Sequence, residues 1–156
     1  HRLEQHLELL QSKNTVGQDR SVYENAEVFA RNLYEKDLMS ERDWATYNRI
    51  YQNLINVLPP PHLIVYLRAS VPTLLHRIEK RGRDYEKRIP KYYLAELNQL
   101  YDRWAETFTV APVLTVDTDR INFVEDDAAL EALTETIANR LPIQQLPIFR
   151  RPRSAV

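Results

Sequence analysis

The chain has 156 residues, 44% hydrophobic and 28% charged, with a formal net charge of −1. That is one modest domain with enough apolar residues for a core, and its balance of charge excludes a broadly basic nucleic-acid binder. The absence of cysteine excludes disulfides and thiolate metal sites, and no apolar run approaches the length of a membrane span.

In chain order, "HRLEQHLELLQS" places Leu3, Leu7 and Leu10 on one helical stripe. No capping residue precedes it, so the chain reads as starting inside a helix, as if cut from something longer. Thr15 to Gln18 is read as a short strand running into Asp19. Ser21, with Glu24 three residues on, is a capping box. The helix after it carries Val22, Ala26, Phe29, Ala30 and Leu33. Ser40 restarts a helix whose stripe is Trp44, Tyr47, Tyr51, Leu54 and Leu58, ended by "LPPP". Leu63 to Leu67 is a continuous apolar run, the pattern of a strand buried on both faces. An arginine-rich helix follows from about Val71. Pro90 opens another helix, with Leu94, Leu97, Tyr101, Trp104 and Phe108 as its apolar stripe. "APVLTVDT" reads as a second buried strand and "DDAALEALTETIANRL" as a last helix. Residues 142–156 form a basic, proline-containing tail outside the domain of residues 1–141.

Apolar strands alternating with helices predict an α/β fold with a parallel sheet and right-handed crossovers. Such sheets bind ligands at the carboxyl ends of their strands. That rule draws attention to Asp19 and to the loop between Leu67 and Val71. Asp19 offers a carboxylate for a Mg²⁺-bound water, since magnesium takes one or two carboxylates plus substrate phosphates; the plainer alternative is a helix cap. Phe29 offers a flat ring for a base, or simply a core residue. Asn25 offers both a donor and an acceptor to a base edge.

Charge is uneven along the chain. Between Arg77 and Lys91 there are seven Lys/Arg and three Asp/Glu, whereas Glu125 to Glu135 holds five acids and no base. Arg77 and Arg81 are four apart and repel on a helix face, and Arg83 follows Gly82. Such a cluster looks for an anion outside the protein, and guanidiniums at a transferring phosphoryl group are worth roughly 10³–10⁵ in rate. The alternative is a solvated face balanced by Glu79 and Glu86. The acids at Glu125–Asp127 suit a helix N-terminus better than a metal cluster, and the four histidines have no zinc spacing. Gly17 and Gly82 are the only glycines, so no G-x-x-x-x-G-K-[ST] phosphate loop occurs in these 156 residues.

Together, "DRSVYENAEVFARNLYE", "LPPPHLIVYLRASVPTLLHRIEKRGRDYEKRIP" and "YLAELNQLYDRW" resemble the deoxynucleoside kinase family, closest to its bacterial deoxyadenosine/deoxyguanosine members. The resemblance runs from about Leu3 to Leu141. It implies a P-loop-kinase-like three-layer α/β sandwich whose N-terminal strand and phosphate loop are missing here. It implies transfer of the ATP γ-phosphate to the 5′-hydroxyl of a deoxynucleoside, with ATP and Mg²⁺. Expected partners are the nucleoside and ATP, with no nucleic-acid polymer and no membrane. A homodimeric, cytoplasmic enzyme is expected.

By the same resemblance, Asp19 supports Mg²⁺, and Arg20 orients the 5′ end and the catalytic carboxylate. Phe29 stacks on the base, and Arg2 contacts it. Arg77, Arg81 and Arg83 form the lid motif R-x-x-x-R-x-R over the phosphates, and Glu86 binds the sugar 3′-hydroxyl. The segment from Val124 to Ala128, with Asp126, meets the donor adenine.

Two departures stand out. Asn25 sits where purine-acting members usually carry aspartate, which leaves the base preference open. The phosphate loop and the general-base glutamate would need at least one further βα unit, about 30 residues or more. The 156-residue chain is therefore expected to be inactive, and a complete parent to be a kinase. Two other readings are a nucleotide-monophosphate kinase, whose phosphorylated acceptor Glu86 would repel, and a non-catalytic binding or dimerisation module using the aromatic stripes.

Overall fold

The computed structural model describes residues 2–12, 15–86 and 88–141, without the side chains of Arg2 and Leu10. The predicted tail of residues 142–156 and the predicted base contact of the Arg2 side chain lie outside what is described.

Helix α1 (Arg2–Leu10) forms where predicted, but on a different face. His6 is buried and Leu7 is exposed, so the inward positions run Leu3, His6 and Leu9 rather than along the leucines. Thr15 to Gln18 is not a strand. It runs as exposed coil with Gln18 half-covered, because nothing among the described residues pairs with it as a sheet neighbour.

The helix after Ser21 is continuous from Val22 to Glu35 but not uniform. Helix α2 (Val22–Glu24) passes into a π segment (Asn25–Ala30) and then into α3 (Arg31–Glu35). Glu24 accepts from the Ser21 N–H at 2.5 Å and from its hydroxyl at 2.6 Å, as a capping box requires. One extra residue in a helical turn rotates everything downstream by about 100°. Hence Leu33, predicted inward, is exposed, and Asn32 is buried in its place.

Helix α4 (Glu41–Val57) starts at Ser40, whose hydroxyl accepts from the Asp43 N–H, and stops before the prolines. Strand β1 (Ile64–Arg68) leads to helix α5 (Val71–Arg81). Gly82 ends α5 in the left-handed conformation that glycine adopts without steric cost (φ 69°). Helix α6 (Lys91–Thr107) follows Pro90, strand β2 runs from Val113 to Asp117, and helix α7 (Asp127–Ala138) is capped by Asp126.

The two strands pair in parallel, from Ile64 opposite Val113 to Arg68 opposite Asp117. The intervening α5 and α6 supply the crossover that parallel strands need. Burial on both faces of β1 is not observed, since Leu67 is exposed. The core is formed instead between the 22–30 helix, α4 and α6, by Tyr23, Ala26, Val28, Tyr51, Leu100 and Trp104.

Candidate functional site

Two groups of the predicted residues are held together, each by its own partners. The first is the corner after Gln18. Asp19 and Arg20 form an exposed bend, and Arg20 has φ 63°, a left-handed conformation costly for a residue with a Cβ. That bend turns the Arg20 side chain back onto the helix it precedes. Its Cζ lies 5.0 Å from the centre of the Phe29 ring, a cation–π contact. Phe29 and Asn25 both sit in the π segment, half-buried. π segments are frequent at functional sites.

Tyr101 of α6 meets the Phe29 ring edge-on at 6.1 Å, and Tyr66 of β1 stacks on Tyr101 at 5.7 Å. The Tyr66 hydroxyl donates to Asp102 Oδ1 at 3.1 Å. Arg68 holds the same carboxylate with two bonds, at 2.9 and 3.1 Å. Burial, reinforced by the carboxylate of Glu24 and opposed by Arg20, pushes the Tyr101 phenol up to about 12. Burial and Asp102 push Tyr66 up as well. Both shifts favour the neutral phenol. Sequence reasoning took Tyr66 and Tyr101 only as apolar positions; the tyrosine hydroxyl beside a helical aspartate 36 residues away gives no local signal.

The second group is the predicted lid. Ser70 caps α5, accepting from the Thr73 N–H, and its own N–H donates to Asp119 at 2.7 Å. That bond is the main cause that holds the Asp119 carboxyl below its ordinary value. Arg77 is not part of a free basic face: Nη1 donates to the Thr118 hydroxyl at 2.9 Å and Nη2 to the Thr118 carbonyl at 2.6 Å. Arg81 Nε lies 2.9 Å from Glu86 Oε2, and Arg83 Nη1 lies 3.4 Å from Oε1 of the same carboxylate. Arg83 also donates to the Tyr85 hydroxyl at 3.1 Å. The Glu86 side chain is only 11% exposed. Part of the negative charge expected from a ligand is thus supplied by the protein, which corrects the view that the cluster's counter-charge lies wholly outside it.

Asp126 is engaged in capping α7, accepting from the N–H groups of Ala128 and Ala129 at 3.0 and 3.2 Å. This is the helix-terminus role that the sequence favoured for the acidic segment, and Val124 in the loop before it is 83% exposed. Lys80 reaches from α5 to Glu125 at 2.6 Å and so lies across the same loop. Helix α6 packs against both the π segment and α5, and so joins the corner to the predicted lid. Among the described residues no group of three or more His, Asp or Glu converges as a metal cage.

A parallel strand pair with a helical crossover, and Arg77 of α5 held on Thr118 just beyond β2, defines an α/β protein. Comparison with known proteins makes this specific. The profile of the family described as deoxynucleoside kinase matches residues 1–142. The chain is 31% identical over 124 residues to a deoxyadenosine/deoxycytidine kinase of Bacillus subtilis, covering 78% of this chain and 57% of that protein. It is 37% identical over 110 residues to a deoxyguanosine kinase of the same organism, covering 68% and 53%. The solved structure of deoxyadenosine kinase from M. mycoides with bound dATP superposes with a TM-score of 0.66 at 28% identity, covering 87% of this chain and 68% of that one. The chain belongs to the deoxynucleoside kinase family and has its P-loop-kinase type of α/β fold. It spans little more than half the length of the two Bacillus subtilis relatives.

Proposed function

We propose that this chain carries the nucleoside-binding corner and the phosphate lid of a deoxynucleoside kinase. The reaction transfers the γ-phosphate of ATP to the 5′-hydroxyl of a deoxynucleoside, with a purine base preferred. The observation that carries this reading is the joining, through α6, of the Arg20–Phe29 corner to a lid bearing Arg77, Arg81 and Arg83. The purine preference leans on the deoxyguanosine kinase relative and on the deoxyadenosine kinase structure, beside a relative named for deoxyadenosine and deoxycytidine alike; Asn25 would read the base edge by its amide.

Asp19 presents a single exposed carboxylate, which fits a magnesium ion held mainly by substrate phosphates and water, and not one caged by protein. Bound there, the ion would supply charge neutralisation between phosphates. Arg20, next to it, orients the 5′ end once it leaves the Phe29 ring, which then stacks on the base. Arg81 and Arg83 exchange Glu86 for phosphate oxygens, and the released Glu86 accepts from the sugar 3′-hydroxyl. Val124 and its neighbours, with Asp126 fixing the turn, border the donor adenine. Phosphoryl transfer is mostly positioning and charge stabilisation. These 156 residues contain no phosphate-loop motif, so the reading includes inactivity of the isolated chain. The protein would act in the cytoplasm as a homodimer, for which the outward side of α4, with Tyr47, Ile50 and Val57 exposed, provides apolar surface.

The test is calorimetric titration of the 156-residue chain with deoxyadenosine, deoxyguanosine and thymidine, alongside an assay of phosphate transfer from ATP. Purine-selective binding without turnover is expected. Binding that ignores the base would refute the nucleoside-kinase reading, and turnover at ordinary enzyme rates would refute inactivity.

The ion triad gives a further expectation with two signs. Glu86→Gln removes the charge that competes for Arg81 and Arg83, so tripolyphosphate should bind about two- to fivefold more tightly, the scale of one weak ion pair. Deoxynucleoside affinity should fall in the same variant. If both affinities move in the same direction, the exchange is wrong.

A further inference from the structure

Thr118 is a fully buried polar residue, 0% exposed, that directly follows β2 and has no part in the chemistry above. Its N–H and its hydroxyl both donate to the Arg68 carbonyl, each at 2.8 Å. With its one hydroxyl proton committed there, the oxygen faces Arg77 as an acceptor. Arg77 grips Thr118 by two nitrogens, Nη1 on the hydroxyl and Nη2 on the carbonyl. Arg68 ends β1, so this one residue ties together the ends of both strands and the middle of α5.

We propose that Thr118 is a positioning residue that fixes the Arg77 guanidinium at the carboxyl edge of the sheet, ready for a phosphate. The inference rests on the kinase reading and deepens it. A guanidinium has five N–H donors, and two are engaged by Thr118, leaving Nε–H and one hydrogen on each terminal nitrogen for phosphate oxygens. A long side chain loses rotamer freedom when it binds an anion; one already ordered by neutral partners loses little, which is preorganisation. The contrast with the outer arginines is chemical. Arg81 and Arg83 must give up a carboxylate to take a phosphate, whereas Arg77 bonds to the neutral hydroxyl and carbonyl of Thr118, with the charge of the neighbouring Asp119 carboxylate also felt there. The lid is thereby divided into a fixed cation on α5 and two exchangeable ones around Gly82.

The experiment uses the ¹⁵N-labelled 156-residue chain and reads arginine side-chain signals, with Arg77→Lys to assign them. In the unaltered chain Arg77 should show separate signals for its two terminal nitrogens at room temperature, the mark of a guanidinium that does not rotate. Thr118→Val should merge them and weaken tripolyphosphate binding about tenfold, the scale of one charge-assisted hydrogen bond. Thr118→Ser, which keeps the hydroxyl, should preserve both; should the valine variant fail to fold, Thr118→Ala is read in its place. Separate signals persisting in the valine variant would overturn the proposal. So would merged signals with unchanged affinity, or an unaltered chain that does not bind tripolyphosphate. Failure of the kinase reading is seen elsewhere, as loss of base selectivity in the deoxynucleoside titrations, whatever Thr118 does.

Discussion

Replacing Trp104 by alanine should cost about 3–5 kcal/mol of stability, the range for removing a large buried aromatic. The indole is 6% exposed and central to the core. It meets Tyr101 edge-on at 6.1 Å and Phe108 at 5.2 Å, and Phe108 in turn packs on the fully buried Tyr23 at 5.1 Å. Those contacts clamp α6 to the 22–30 helix, so the loss falls on the joint that holds the Arg20–Phe29 corner. Domains of this kind have about 5–15 kcal/mol in total, and the variant should therefore unfold at a much lower urea concentration. Leu38→Ala, at a side chain 70% exposed, should stay within about 0.5 kcal/mol of the parent. Urea unfolding of the three chains checks both. Equal midpoints for the Trp104 variant and the parent would mean that α6 is not the keystone described here.

The parts of the fold that were legible in the sequence are those with a local cause. Ser21 and Ser40 start their helices as read, and the segments read as strands at 63–67 and 111–118 pair in parallel at 64–68 and 113–117. What failed depended on partners far away in sequence or on departures from regular period. The π segment cannot be seen from a 3.6-residue repeat, and it is the reason why Asn32 rather than Leu33 points inward. His6 carries no apolar label, yet it is buried beside Leu3 and Leu9. The Thr15–Gln18 strand was read from a stretch of four residues, and a strand exists only where a neighbour accepts its hydrogen bonds. The candidate site divides in the same way. Arg81, Arg83 and Glu86 lie within six positions, and their clustering was visible. That Arg77 turns to Thr118, 41 residues on, depends on the register of two strands.

That division bears on Phe29, for which sequence offered either a core residue or a base platform. The ring is half-buried and packs against the core, but it is also capped by the Arg20 cation and steadied by the edge of Tyr101. A purely structural phenylalanine gains little from a mobile cation that could be solvated. A platform gains from one that covers it until a base arrives. Base–aromatic stacking is worth about 1–3 kcal/mol per base, so Phe29→Ala should weaken deoxyadenosine binding about 5- to 150-fold. Tripolyphosphate binding, which depends on the lid, should be unchanged, and Phe29→Leu should restore folding stability without restoring base affinity, because it fills the volume with no flat face. Titrating both ligands into both variants separates the cases. If alanine weakens the two ligands equally, or if leucine recovers deoxyadenosine affinity, then Phe29 serves the core alone and Arg20 covers it for another reason.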